Sequence, residues 1–494
     1  MSLSQPEQTV INDKKQIKYK KCKECNKKRK FFIVEYQICC YCYNLKTILK
    51  PKQSENKIID NFIRYTQSNY VTITEGKMEF VSYDQFKNIE FIAQGGFSKV
   101  YKATWVDGPI INWDEIIRNG QKIIRDSNRT VVLKKLNNSK NITSKELNEL
   151  QIFYQIYSKK KVDHEEISGY FGITQDPITK DIMIIMTYYN EGDLIGYLNN
   201  KFYNINWNKK LSNLIDIARG LKNIHDVNII HRDFHSGNIF FSVSGGYIGD
   251  LGISKSATES TNDNENYGII SYMAPEIFRG QKYTKASDIY SFGMIMWEFM
   301  TGRRPFWDRN HDAYLIIDIC DGLRPPIVTN APDGYIDLMK ECWHFDPEKR
   351  PRAADIKNKI ENISVNEIES SQNNNSTKIV ESLDIGPVSK NNPGAIYKSR
   401  PLSEMIHSAM SLMSSRSGSI NLETVKRKFA NLINNDNGQS IKRKKLRDNE
   451  FNDYLTNEIE LDIDVGIDYN KLHKPHNKEY ITKEFEFDID INNS

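Results

Sequence analysis

Two groups of residues in this chain have types and spacings that suit chemistry. The first is Ile229-Ile230-His231-Arg232-Asp233-Phe234-His235-Ser236-Gly237-Asn238. A short apolar run delivers an Asp and, five positions later, an Asn, before Ile239-Phe240-Phe241 resumes the apolar pattern. An Asp so placed can orient or accept the proton of an attacking hydroxyl. The Asn amide oxygen can hold a metal ion against phosphate oxygens. The second group is Cys22-Lys23-Glu24-Cys25, thirteen residues, then Cys39-Cys40-Tyr41-Cys42. Two C-x2-C knuckles bring four soft thiolates to one ion and complete a tetrahedron, which suits structural Zn2+ with no open position. Cys40 reads as the spare thiol, with replacement of a neighbouring ligand as the alternative.

These residues need elements to hold them. Ile89-Glu90-Phe91-Ile92 and Val100–Trp105 read as strands flanking the small-residue turn Ala93–Lys99, and Thr130–Lys134 and Ile182–Met186 as further strands. A Gly-rich turn between antiparallel strands can fold over phosphates and offer unobstructed backbone N–H groups. Thr143-Ser144-Lys145-Glu146 is a capping box, and Leu147, Leu150, Tyr154 and Tyr157 give the apolar stripe of the helix it opens. Leu211, Leu214, Ile215, Ala218 and Leu221 recur at helical spacing just before the His231–Asn238 stretch. Residues 107–129 read as a loop insertion, where added length costs little.

In order along the chain, these motifs resemble those of eukaryotic-type protein kinases over residues 86–361. The resemblance is closest to the tyrosine-kinase-like group, in a form met in expanded fungal families. It implies a two-lobed α+β kinase fold, ATP as co-substrate and Mg2+ (or Mn2+) as the ion. Asp233 stands at the catalytic Asp. Lys134 stands at the Lys of V-A-I-K, with Glu149 as its partner and Glu146 as the alternative. Asn238 and Asp250, the latter in Gly249-Asp250-Leu251-Gly252 where kinases have D-F-G, would hold the metal. Ile92, Gly95, Gly96, Val100, Lys134, Met186 and Tyr189 would line the nucleotide site, with Met186 as gatekeeper and Thr187–Tyr189 as hinge. Glu276 of Ala274-Pro275-Glu276 would pair with Arg350, and Asp288 would brace the catalytic loop. Ala93 and Ser98 replace two glycines of the usual loop, which favours a pseudokinase or scaffold as the rival reading. Arg232 implies control by phosphorylation at Ser256, Thr258, Ser260, Thr261 or Tyr267. His235 stands where Ser/Thr kinases usually carry Lys, and neither the Ser/Thr nor the Tyr signature is complete. The resemblance implies Ser/Thr transfer to protein substrates, with tyrosine or dual specificity as the alternative.

The chain has 494 residues, 27% of them charged, with net charge +4 and seven cysteines. Mean hydropathy is −0.60. No run reaches the ~20 apolar residues of a membrane helix. The absence of an apolar signal core and the odd cysteine count lead us to expect an intracellular, cytoplasmic protein. Lys-Arg clusters at 426–428 and 442–445 add nuclear import as a second destination. Lys and Arg outnumber Asp and Glu in residues 1–50, yet a protein is the expected partner of this knuckle rather than nucleic acid. The expected organisation is a four-cysteine zinc knuckle with a polar arm at 1–50, a linker at 51–85 in which Lys52 to Glu79 reads alternatively as a loose helix over the next domain, the kinase domain at 86–361, and a low-complexity, mostly disordered tail at 362–494 with a short helix at Met405–Met413.

Overall fold

The structure, a computed structural model, describes residues 19–50, 52–68, 76–95, 98–140, 143, 146–158, 166–257, 266–388 and 390–418. Gly96, Ser144, Lys145, Thr258, Ser260, Thr261 and both Lys-Arg clusters lie outside them.

One six-stranded sheet organises the smaller lobe. Its order is Glu79–Phe80, Tyr170–Gln175, Ile182–Thr187, Arg129–Leu136, Ser98–Trp105, Phe86–Gln94. All neighbours are antiparallel except the first pair. The β-branched run Thr130-Val131-Val132 and the run Ile182–Met186 suit a pleated core, and Val131, Leu133, Met183 and Ile185 pack in one buried cluster. The register sets Val100 and Ile184 on either side of Lys134, which aims the lysine toward the cleft face.

A helix, Asn148–Tyr157, crosses that face. Its stripe of Leu147, Leu150, Tyr154 and Tyr157 is buried. The capping pair forms in part: the Thr143 backbone N–H and hydroxyl both donate to Glu146 Oε2 at 2.6 Å, but the helix opens later, at Asn148, with Leu147 before it.

The larger lobe is helical. Asn206 caps the helix Trp207–Asp226, its side chain accepting the Lys209 N–H. Leu211, Leu214, Ile217, Leu221 and Ile224 of that helix are buried. Behind it runs Lys285–Thr301, buried from Ser287 onward and closed by Gly302 at φ 74°, a left-handed position that glycine takes without strain.

Three segments depart from what composition suggests. Among the described residues of 51–85 a helix lies over the next domain, as in one of the two readings of that stretch. These residues hold the helix Lys57–Ser68 and the edge strand Glu79–Phe80. Ile59 and Ile63 are buried in the main core, Gln67 Nε2 donates to the Met78 carbonyl at 2.7 Å, and Tyr65 packs edge-on to Tyr154. The insertion at 107–129 is structured too. Trp113, Ile116 and Ile117 on the helix Trp113–Asn119 bury against Leu45 and Ile110, so the insertion packs against the segment that follows the Cys-rich knuckle. Asn44 Nδ2 donates to the Ile117 carbonyl at 3.1 Å. Gly108 is required here: at φ 70°, an added Cβ would lie 1.7 Å from the Asp126 carbonyl oxygen.

The third departure is the tail. Residues 362–418 lie on the larger lobe instead of leaving it. The helix begun at Ala353 runs to Gln372, an extended stretch follows, and a helix spans Ser403–Gly418. Ile385, Leu402, Ile406 and Ala409 are buried. A few apolar anchors hold an otherwise polar segment, which composition alone hides. Among the described residues no helix is long and apolar enough to cross a membrane.

Candidate active site

The cleft between the lobes is built from four short stretches. Lys134 Nζ lies 2.8 Å from Glu149 Oε2 and 2.8 Å from Asp250 Oδ1. The Glu149 carboxylate is held on its other side by the Tyr170 hydroxyl at 2.7 Å. Burial alone would pull the Lys134 ammonium down, but the Asp250 and Glu149 charges outweigh it and raise its pKa. Burial would likewise raise Asp250, and Lys134 reverses this, holding it below the ordinary carboxylate range. Burial leaves Glu149 raised despite the lysine. One cation thus sits between two carboxylates, and Lys134 is fixed in the charged form that can bind phosphate.

The loop below carries Asp233. His231 is fully buried, and its Nε2 lies 3.1 Å from the Gly249 carbonyl. Burial lowers its pKa, so the ring is a neutral Nε2–H donor tying this loop to the Asp250 stretch. Asn238 Nδ2 donates to the Asp233 carbonyl at 2.9 Å. That bond leaves the Asn238 amide oxygen for a cation. Asn238 and Gly249 flank the open end of the hairpin Ile239–Ser242/Gly245–Ile248, joined by Gly249 N–H to Asn238 C=O at 2.9 Å. Two hard oxygen donors at one hairpin mouth fit Mg2+, which needs few protein ligands beside phosphates.

His235 accepts the Gly237 N–H at Nδ1, 3.0 Å. Its neutral form therefore carries the proton on Nε2, which lies 3.6 Å from Asp233 Oδ1. Burial would lower this imidazole, but Asp233 first, then Asp250 and Glu298, raise its pKa above the ordinary value. The Arg232 side chain packs over the Tyr283 ring, 4.7 Å from its centre. Ser256 and Tyr267 are half-buried.

Of the residues expected to line a nucleotide, Met186 is buried at the back of the sheet and Val100 is half-buried beside Lys134. Gly95 N–H closes the turn onto the Ser98 carbonyl at 2.8 Å. Ile92 is 48% exposed, open to contact from the loop edge. The Tyr189 ring is buried against Phe240 and Tyr247, 5.7 and 4.8 Å between centres, so its backbone is what it can offer. Glu276 and Arg350 meet bidentately, both contacts 2.7 Å.

Sequence reasoning missed three supports. Asn148 Nδ2 donates to the carbonyls of Gly252 and Ser254, both at 3.1 Å, tying the Glu149 helix to the stretch after Asp250. Tyr170 orients Glu149. His225 Nε2 lies 2.9 Å from Asp288. An Asn next to the helix Glu was a readable signal; the other two had none.

The four thiols of Cys22, Cys25, Cys39 and Cys42 lie within 4.8 Å of one another, the metal-type cluster found among the described residues. A tetrahedral ion with Zn–S bonds of ~2.3 Å needs S···S separations of ~3.8 Å. The Cys25–Cys39 pair stands at 3.9 Å. The donor set fits zinc, and Cys40 stays outside it.

A lysine clamped by two acids, an Asp on a loop and an Asn–Asp pair at a hairpin mouth are the parts that phosphoryl transfer requires, gathered on a two-lobed scaffold. The family model for protein tyrosine and serine/threonine kinases matches residues 86–360, more than half of the chain, and the chain belongs to that family. It is 29% identical over 301 residues to a probable serine/threonine-protein kinase, roco5, of Dictyostelium discoideum, covering 57% of this chain and 10% of that protein. It is 29% identical over 203 residues to a probable LIM domain-containing serine/threonine-protein kinase of the same organism, covering 41% of this chain and 31% of the relative. A putative serine/threonine-protein kinase/receptor of Acanthamoeba polyphaga mimivirus is 38% identical over 153 residues, 30% of this chain and 9% of that protein. The chain thus spans less than a third of the length of each of these relatives.

Proposed function

We propose that this protein transfers the γ-phosphoryl group of ATP to serine or threonine hydroxyls of proteins, as a member of the tyrosine-kinase-like group. The observation that carries the reading is the convergence of Lys134, Glu149 and Asp250 on contacts of 2.8 Å. Catalysis is then positioning and charge neutralisation. Asn238 and Asp250 would hold a divalent metal ion, which would supply positive charge against the phosphates; Lys134 binds phosphate in its charged form, and Asp233 orients the acceptor hydroxyl. The names of the relatives support alcohol over phenol as acceptor. The knuckle holds structural Zn2+ and presents its surface to a protein partner. Thiolate ligation fits a reducing, intracellular setting.

The test is a degenerate peptide library with labelled ATP and Mg2+. Serine and threonine peptides should be labelled, and Asp233→Ala should abolish the label. Nucleotide binding without transfer would establish the pseudokinase reading that Ala93 and Ser98 favour. Label confined to tyrosine would overturn the acceptor class.

A further inference from the structure

The segment after the kinase domain enters the site just described. Ser399 Oγ lies 2.8 and 2.7 Å from the two carboxylate oxygens of Asp233, and 3.4 Å from His235 Nε2. A single hydroxyl proton between both oxygens is the placement a phosphoacceptor needs, within hydrogen-bond reach of its base.

The backbone around Ser399 is bound as a peptide. Arg400–Pro401 pairs antiparallel with Tyr267–Gly268, and Leu402 N–H donates to the Asn266 carbonyl at 2.8 Å. Pro401, lacking an N–H, sits on a two-residue edge ladder where none is demanded. The Arg400 guanidinium donates to the His311 carbonyl at 2.9 Å. On the other side, the Tyr397 hydroxyl donates to the Pro305 carbonyl at 2.8 Å, and its ring lies under Arg304, 3.8 Å from ring centre to guanidinium. His311 N–H donates to the Gly394 carbonyl at 2.8 Å.

Both flanks are anchored. Upstream, Arg303 holds the carbonyls of Leu383 and Gly386, and Gly386 N–H donates to Thr301 at 2.7 Å. Downstream, Leu402 is 1% exposed, and Ile406 and Ala409 are buried in the main core on the helix Ser403–Gly418. A tether fixed at both ends gives Ser399 a high effective concentration at Asp233.

We infer that Ser399 is a modification site phosphorylated in cis, and that residues 394–409 occupy the peptide site as a built-in substrate until that transfer occurs. The inference rests on the protein-kinase reading above and names its first substrate. In the step, Ser399 Oγ forms a bond to the γ-phosphorus of ATP. The bond from that phosphorus to the β–γ bridging oxygen breaks, leaving ADP. The hydroxyl proton passes to Asp233. The product places a phosphate of charge about −1.5 to −2 beside the Asp233 carboxylate. Like charges at that distance expel the segment and open the groove to other proteins. The acceptor class follows from the contacts: serine, then a basic residue, a residue that needs no N–H, and a buried apolar residue.

The test uses the full chain with ATP, Mg2+ and a synthetic serine peptide carrying Arg, Pro and Leu at the three positions after the serine. The wild type should show a lag in peptide labelling that preincubation with ATP and Mg2+ removes. Mass spectrometry should place phosphate on Ser399 at a rate per molecule unchanged over a hundredfold range of protein concentration. Ser399→Ala should stay slow, because the segment still docks. Leu402→Asp/Ile406→Asp should label peptide at once, with KM at least tenfold lower than unphosphorylated wild type. The milder Arg400→Glu should shift KM the same way and guards against misfolding of the double variant. Peptide labelling without lag, with Ser399 unmodified, overturns the inference and leaves the kinase reading standing. Ser399 labelling proportional to protein concentration overturns the cis step. No transfer to peptide by any variant overturns both.

Discussion

The Asp288 carboxylate accepts the backbone N–H of His231 through Oδ2 at 2.8 Å, while its Oδ1 takes the N–H of Arg232 at 3.0 Å. Asp288 is 1% exposed. It therefore stands under the loop as a fixed anion, and Arg232 can hold its left-handed φ of 72°. Asn at 288 keeps one acceptor and turns an N–H2 toward a backbone N–H. Leaving a buried donor unsatisfied costs ~1–3 kcal/mol. Asp288→Asn should lower kcat about ten- to a hundredfold with little change in KM for ATP, and lower Tm by about 2–4 °C per kcal/mol lost. Steady-state kinetics with a thermal melt checks this; an unchanged kcat would refute the bracing role.

His235 predicts a pH dependence with a definite sign. Its pKa in the folded chain is raised, because Asp233 and its neighbours outweigh burial. The imidazolium thus persists above the ordinary pKa of about 6.5, and its stabilising contribution, present below that value, is lost as pH rises through the raised one. Under the proposed reaction, a positive charge beside Asp233 would serve the transferring phosphate as the usual Lys does. The kcat/KM should fall about tenfold as pH rises through the raised pKa, the equivalent of ~1.4 kcal/mol. His235→Lys should stay level through that window. Parallel profiles for the two proteins would dismiss the charge.

Glu276 and Arg350 form a fully desolvated bidentate pair, with the guanidinium also donating to the Ala286 and His344 carbonyls at 2.9 and 2.8 Å. Removing one partner strands the other, at a cost of ~3–5 kcal/mol. Arg350→Ala should be strongly destabilised. Glu276→Leu/Arg350→Met should recover more than half of the loss, since two apolar groups leave no buried charge. Denaturation midpoints of the three proteins decide it; a double variant weaker than the single would point to the backbone contacts instead.

The site was more legible than its surroundings, and for a physical reason. Lys134, Glu149, Asp233, Asn238 and Asp250 lie in short stretches whose order along the chain resembles that of protein kinases, and that resemblance, set on strong local strand and helix patterns, placed them. The helix Trp113–Asn119 was also within reach, because Trp113, Ile116 and Ile117 fall at i, i+3 and i+4; flanking polar residues masked it. The tail was legible only in part. Leu402, Ile406 and Ala409 fall at i, i+4 and i+7, and a short helix over Met405–Met413 is readable there, inside the helix Ser403–Gly418. What the sequence did not record is the surface that buries them, such as the helix Ala313–Cys320. Nothing local to Ser399 records that Arg303, Arg304 and His311 wait to hold its neighbours.

The four-cysteine knuckle, with the zinc proposed for it, yields the last prediction. Its ligands close a small cluster with Ile38, and the helix that follows Cys39 leads into Leu45, which packs on Trp113, Ile116 and Ile117. A domain this small has too little apolar core to hold itself without the ion. The intact protein should carry about one Zn2+ per chain, the capacity of a single four-thiolate site, and Cys25→Ser or a strong chelator should remove it. Loss of the ion should release the knuckle and uncover Trp113, shifting tryptophan emission to longer wavelength. Peptide phosphorylation should change less than about threefold, because four thiolates fill the coordination sphere and leave zinc no catalytic position. Metal analysis, fluorescence and kinase rate on the same samples test the three links separately. Retention of full zinc by Cys25→Ser would break the first, and a collapse of the rate with Trp113 still buried would move the ion's role toward the cleft.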